Sequence, residues 1–253
     1  MGNLKSKQVE DTRLSYSSST LLNNCEQRYV NYKVKKLEVD NDAKDRDTSF
    51  FNIGSSFHYV LEMSNHEKPE SISKLLEECV QNEGLKEEDV ALVHAMVLKY
   101  LRSRKGSPLK AVKCEYAIKD EKIIGYVDLV EVDDDGNFWI SDLKTSASFY
   151  DNKIPELPSN PQLCLYASFY REIAKDLDLD PDKFMGCRYL VACKSKAKQK
   201  LTESYVDFVT RLVEKHIKTV FITIPKELMR IEETRKDILA LHDRSLELRN
   251  GAK

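Results

Sequence analysis

Two aspartates and a lysine carry the strongest chemical signal in the sequence. Asp128 lies in Gly-Tyr-Val-Asp (125–128) and Asp142 in Ile-Ser-Asp-Leu-Lys-Thr (140–145). Both segments are apolar and β-branched, and the turn signal Asp134-Asp135-Gly136-Asn137 separates them, so they read as the two strands of a hairpin. Side chains alternate along a strand, which puts Asp142 and Lys144 on one face, and the hairpin can bring Asp128 beside Asp142. Two converging carboxylates suit a hard divalent cation such as Mg²⁺ or Mn²⁺. A neighbouring lysine can hold or polarise a water and offset developing negative charge. Acid-x-Lys alone is usually a solvated strand edge. Here the apolar lead-in Phe138-Trp139-Ile140 and the preceding Gly-x-x-Asp strand set it apart.

Two helical pairs fit beside this site. His58 and Glu62, in Gly54-x-x-x-His58-x-x-x-Glu62, stand four residues apart and share a helix face. A helical histidine can ligate a metal when a carboxylate orients it. Gln162 and Tyr166 have the same spacing and could hydrogen-bond a phosphate or a base. Either pair alone is more often a packed or solvated helix surface. His66, His94, His216 and His242 lack such company and read as ordinary. The cysteines at 25, 79, 114, 164, 187 and 193 form no C-x-x-C pair, so reduced thiols in a cytoplasmic protein are expected.

Five motifs follow one another along the chain. They are Ser15-x-Ser17 with Cys25-x-x-Arg28-Tyr29, Gly54-x-x-x-His58, Gly125-x-x-Asp128, Asp142-x-Lys144-Thr145 and Gln162-x-x-x-Tyr166. In this order the chain resembles, from residue 15 to about 175, the RecB-type branch of the PD-(D/E)XK nuclease superfamily. RecB and AddB nuclease domains and the CRISPR-associated exonucleases belong to that branch. The resemblance implies an α/β, restriction-endonuclease-like core: a mixed β-sheet flanked by helices, with helical N-terminal and C-terminal additions. It implies His58, Asp128 and Asp142 as side-chain metal ligands, the Leu143 carbonyl as a further ligand, and Lys144 as the catalytic lysine. Gln162 and Tyr166 are then DNA contacts near the scissile phosphate. Arg28 and Tyr29 match another DNA-contacting segment, although Glu26 replaces its usual proline, and Glu62 takes a supporting place behind the ligands.

The implied activity is that of an Mg²⁺- or Mn²⁺-dependent DNA exonuclease acting on single strands or duplex ends, in recombination, repair or replication. A recombination or replication protein is then a candidate partner. The alternative is a DNA-end-binding module that keeps the fold and has lost cleavage. Some relatives bind a [4Fe–4S] cluster through one early and three late cysteines. Cys25 matches the early one, but no cysteine follows Cys193, so no cluster is expected. No Gly-x-x-x-x-Gly-Lys-Ser/Thr loop is present, so a stand-alone nuclease of phage or bacterial type is expected rather than one fused to a helicase motor.

These residues need a frame. Helical spacing recurs over 15–37, 54–63, 71–82 and 87–104. Strand-like runs follow at 110–118, 123–132 and 138–145, then a helix at 162–175 and a strand at 187–192. The stretch 205–249 reads as mainly helical, interrupted near Pro225, while 1–12 and 38–48 are polar and expected to be exposed. Helices, βββ, α, β and helices make an α/β class with a mixed sheet. One nuclease domain over 1–253 is expected, with a helical part at 13–108, a catalytic core at 109–200 and C-terminal helices at 201–253.

No apolar run approaches the ~20 residues of a membrane span, and the polar start predicts no secretory leader. With 40 Lys+Arg against 42 Asp+Glu, any DNA-binding surface must be a local basic one. The candidates are Lys194, Lys196, Lys198 and Lys200, with Lys33, Lys35 and Lys36.

Overall fold

A computed structural model describes residues 11–37, 49–64, 71–82, 84–118, 120–149 and 151–251. The polar stretch before residue 11, the expected loop at 38–48 and His66 lie outside the described residues. Helix α1 (Tyr16–Asn24) starts at Ser15, whose hydroxyl accepts a hydrogen bond from the Ser18 N–H. An extended Cys25 then breaks the expected continuous helix. Beyond it come the single turn α2 (Glu26–Tyr29) and a π-helical segment, Val30–Val34. Helices α3 (Ser49–Ser64), α4 (Ile72–Asn82) and α5 (Glu87–Arg104) complete the N-terminal part.

Strands β1 (Lys110–Ala117), β2 (Tyr126–Val132) and β3 (Phe138–Ser146) form the expected antiparallel meander. The Asp133 carboxylate closes its second turn by accepting from the N–H groups of Asp135 and Asn137. The chain then crosses over through α6 (Pro161–Ala167) and α7 (Tyr170–Asp176) to β4 (Phe184–Cys193), which therefore lies parallel to β3. The expected single helix over 162–175 is broken at Ser168 and Phe169. Helix α8 (Tyr205–Arg211), strand β5 (Lys218–Pro225) and helix α9 (Ile231–Gly251) follow.

β5 corrects the reading of 201–253 as helices alone. Thr-Val-Phe-Ile-Thr-Ile (219–224) is β-branched and aromatic, and it pairs antiparallel with β4 from Cys193↔Lys218 to Gly186↔Pro225. The free edge of β4 gives this run hydrogen-bond partners, and Pro225 falls at its end, where a lost donor costs least.

The sheet, ordered β1-β2-β3-β4-β5, is the middle layer of an α/β sandwich. Helices α3, α4, α5 and α8 cover one face through a core that includes Phe57, Leu75, Val97, Leu143 and Leu190. Helices α6, α7 and α9 cover the other, with Val127, Ile140, Leu163, Cys187 and Ile238. A third cluster of Leu14, Leu22 and Tyr29 seats α1 and α2 against Leu241 and Leu248 of α9.

One carboxylate lies wholly inside this frame. Glu131 of β2 is 0% exposed and bonds Arg188 of β4 at 2.8 Å, Arg104 of α5 and the Ser141 hydroxyl of β3. Removing one partner of a buried ion pair typically costs about 3–5 kcal/mol, because the remaining charges stay buried unpaired. Glu131→Ala should lower unfolding stability by about that amount in urea titrations. A loss below about 0.5 kcal/mol, the level of an ordinary surface substitution, would remove this network from the account of the fold.

Candidate active site

Strand register builds the site. β2–β3 pairing runs through Leu129↔Ser141, which sets Asp128 against Asp142. β1–β2 pairing runs through Cys114↔Leu129 and Tyr116↔Val127, which sets Glu115 against Asp128. Three acids thus stand abreast on three adjacent strands. Glu115 has φ 45°, the left-handed region that non-glycine residues seldom occupy. Its neighbours Cys114 and Tyr116 pack into opposite cores, although residues i and i+2 of a regular strand share a face. The strand turns over at Glu115, and its carboxylate joins Asp128 and His58.

The contacts are short and specific. The Asp128 carboxylate accepts the Leu143 N–H at 2.6 Å. Lys144 Nζ lies 2.9 Å from the carboxylate of Asp142, which is 1% exposed. His58 Nδ1, from α3, is 3.7 Å from Asp128 Oδ1. Gln162 Nε2 lies 3.1 Å from the Tyr166 hydroxyl. Asn160 starts α6 by accepting from the N–H groups of Gln162 and Leu163.

Two motif glycines explain how these elements come so close. A Cβ on Gly54 would sit 3.2 Å from Thr145 Oγ1, and one on Gly125 would sit 3.1 Å from Tyr166 Cε1. The first clearance lets α3 carry His58 down to the end of β3. The second lets α6 lay Tyr166 across the start of β2.

Burial dominates the electrostatics. It raises Asp128 and Asp142 above the usual carboxylate range, against the pull of Lys144. The Glu115 carboxyl is pushed up to about 7 by burial, then by Asp128 and Glu62. For Lys144 burial acts downward, but Asp142 and Asp128 outweigh it and the ammonium is held charged. His58 is lowered to about 4 by burial and by Lys144, so its imidazole is neutral near pH 7 and offers a lone pair.

This donor set fits a divalent cation. Ligand atoms of His58, Glu115 and Asp128 all lie within 4.8 Å of one another. Asp142 Oδ2 is buried, and its close partner is the Lys144 ammonium at 2.9 Å. Hard oxygens with one imidazole suit Mg²⁺ or Mn²⁺. Glu115 escaped the sequence reading, because in Lys-Cys-Glu-Tyr-Ala a charged residue looks like the solvent side of an alternating strand. Only its left-handed backbone reveals its place.

The remaining candidates separate. Glu62 stands one turn beyond His58 and contributes repulsion at Glu115. Tyr29, expected at the DNA surface, is instead 0% exposed, because its ring fills the cluster between α2 and α9. Arg28 is exposed, with its guanidinium 5.9 Å from the Tyr32 ring centre. Lys194 is half-buried and lowered to about 8 by that burial, and its N–H donates to the Ser146 carbonyl at the end of β3. Lys196, Lys198 and Lys200 are exposed. Arg211 holds their tract by bonding the Lys198 carbonyl and Glu203.

A family model of the PD-(D/E)XK nuclease superfamily matches residues 13–242, and the chain belongs to that superfamily. The mixed five-stranded sheet flanked by helices agrees with its restriction-endonuclease-like fold. No curated protein matches the chain.

Carboxyls with raised pKa values must lose protons to bind a cation, so metal affinity falls as pH falls through that range. Calorimetric titration with Mn²⁺ should show affinity dropping from pH 8 to pH 6. Glu115→Gln should flatten that dependence, since its group titrates at about 7. Affinity independent of pH would break the assignment of these carboxyls as ligands.

Proposed function

We propose that this chain is a metal-dependent deoxyribonuclease of the RecB type, an exonuclease working on single-stranded DNA or DNA ends with Mg²⁺ or Mn²⁺. The observation that carries the reading is Lys144 on the buried Asp142 carboxylate, with Asp128 opposite and His58 beside it. Asp128, Asp142, His58 and the Leu143 carbonyl would hold the metal, and Glu115 adds a fifth donor. When bound, such a cation polarises the scissile phosphate and lowers the pKa of attacking water.

The chain's own groups do the rest. Lys144 is held protonated and cannot serve as a free base while it pairs with Asp142. Its charge instead stabilises the phosphate as negative charge develops, and its N–H groups orient the water. Tyr166, buried and held by Gln162, presents a polar tip beside the acids and positions the substrate strand. The Lys194–Lys200 tract leaves the end of β3–β4 and offers ammonium groups to the backbone of the bound strand.

End-labelled single- and double-stranded DNA provide the test. EDTA should abolish cleavage and Mg²⁺ or Mn²⁺ should restore it. Lys144→Ala should slow cleavage on the order of 10²–10³-fold, the loss typical of one transition-state contact, with circular dichroism unchanged. Wild-type rates in Lys144→Ala, or full activity in chelator, would overturn the proposal.

A further inference from the structure

Away from the carboxylates, a cleft of about 700 Å³ opens between the start of α1, the π-helical segment Val30–Val34 and the last turn of α9. Five cationic side chains line it: Arg13, Lys33, Lys35, Lys36 and Arg249. The hydroxyl residues Ser15 and Ser18 and a single carboxylate, Asp11, complete its polar lining. The chain as a whole carries a net charge of −2, so this concentration of positive charge is a local feature. We infer that the cleft binds the phosphate backbone of a DNA strand at a distance from the scissile phosphate and anchors that strand for cleavage. The inference rests on the nuclease reading above.

The cleft is built from fixed parts. Arg249 is half-buried, and its guanidinium lies 6.0 Å from the centre of the Tyr29 ring and 3.3 Å from the Tyr29 hydroxyl. The buried tyrosine that fails to reach the surface therefore positions an arginine. Lys35 and Lys36 sit on a hydrogen-bonded turn, Lys35 N–H to the Val30 carbonyl and Leu37 N–H to the Asn31 carbonyl, with Lys36 left-handed at φ 51°. Arg13 is held by Asp11 at 2.8 Å, but the pair is exposed, and exposed pairs contribute little, so a phosphate can displace that carboxylate.

The position favours the same strand that the carboxylates would cut. Ile124 lines the cleft, and the Leu14 carbonyl accepts its N–H, which fastens the cleft to the start of β2. Asp128 lies four residues further along the chain, at most about 13 Å away at strand rise. Gly125 and Tyr166 fill the interval. Lysines acting as point charges, with hydroxyls between them, suit successive phosphate oxygens more than a planar carboxylate. The rival occupant is the acidic stretch 38–48 that follows Lys36 in sequence.

The test uses the full chain with Lys33, Lys35 and Lys36 all changed to Gln. Fluorescence anisotropy of a labelled single strand, with Ca²⁺ replacing Mg²⁺, gives affinity across a salt series. Each lost phosphate contact should flatten the slope of log K against log salt by about 0.7, approaching about 2 for the triple variant. Hydrolysis of bis(p-nitrophenyl) phosphate, too short to reach the cleft, should match the wild type. If wild type cleaves DNA and the triple variant keeps the wild-type slope, the cleft inference fails alone and the lysines are left to the acidic stretch. If wild type neither binds nor cleaves DNA, the nuclease reading fails and takes the cleft with it.

Discussion

Burying two like charges side by side is the constraint on which the rest of this structure depends. Asp128 and Asp142 are set together by strand register, Asp142 buried and Asp128 half-buried, where each ionised carboxylate is costly. The Leu143 N–H and the Lys144 ammonium offset part of that cost. Glu115 adds to it. An assembly with more buried negative charge than its own cations satisfy is poised to bind a divalent ion, and binding then contributes to folding stability.

Such a strained site needs a stiff support, and the support carries the opposite balance of charge. Ser141 and Asp142 are consecutive on β3 and point to opposite faces of the sheet. Behind Ser141, one carboxylate, Glu131, sits between two guanidiniums, Arg104 and Arg188. In front of it, two carboxylates share one ammonium. The same bonds tie β2, β3, β4 and α5 into one unit. A cut in that network would loosen the register that sets Asp128 against Asp142.

The sequence made some of this legible and hid the rest for definite reasons. Asp128, Asp142 and Lys144 were readable because strand alternation and hairpin pairing are short-range rules. Likewise, α5 and the β1–β3 meander follow from local periodicity and turn chemistry. β5 was missed because a short β-branched run between two helices takes its identity from a partner, β4, that lies well upstream in the chain. Glu115 is hidden because its place beside Asp128 and His58 rests on one backbone angle that no residue type announces. Tyr29 was misplaced for a related reason: a motif match says that a residue is needed, not whether it faces solvent or, as here, the interior behind Arg249.

The motif spacing itself has a physical cause in mutual clearance. Gly54 belongs with His58 in sequence, yet its missing side chain makes room for Thr145 of the Asp-x-Lys strand. Gly125 belongs with Asp128, yet it makes room for Tyr166 of the α6 motif. Each of these two motifs therefore pairs a residue of the candidate site with a glycine that permits another motif's approach. The motifs end near residue 175, but the family match runs to residue 242 and so does the physical unit. α9 closes the sandwich through Ile238, bonds the Ser168 carbonyl through Arg235, and reaches Glu26 of α2 through Arg244. Arg249, at its last turn, then stands against the segment that begins the chain's first motif. The two ends of the described chain meet at one cationic cleft because one helix packs against both.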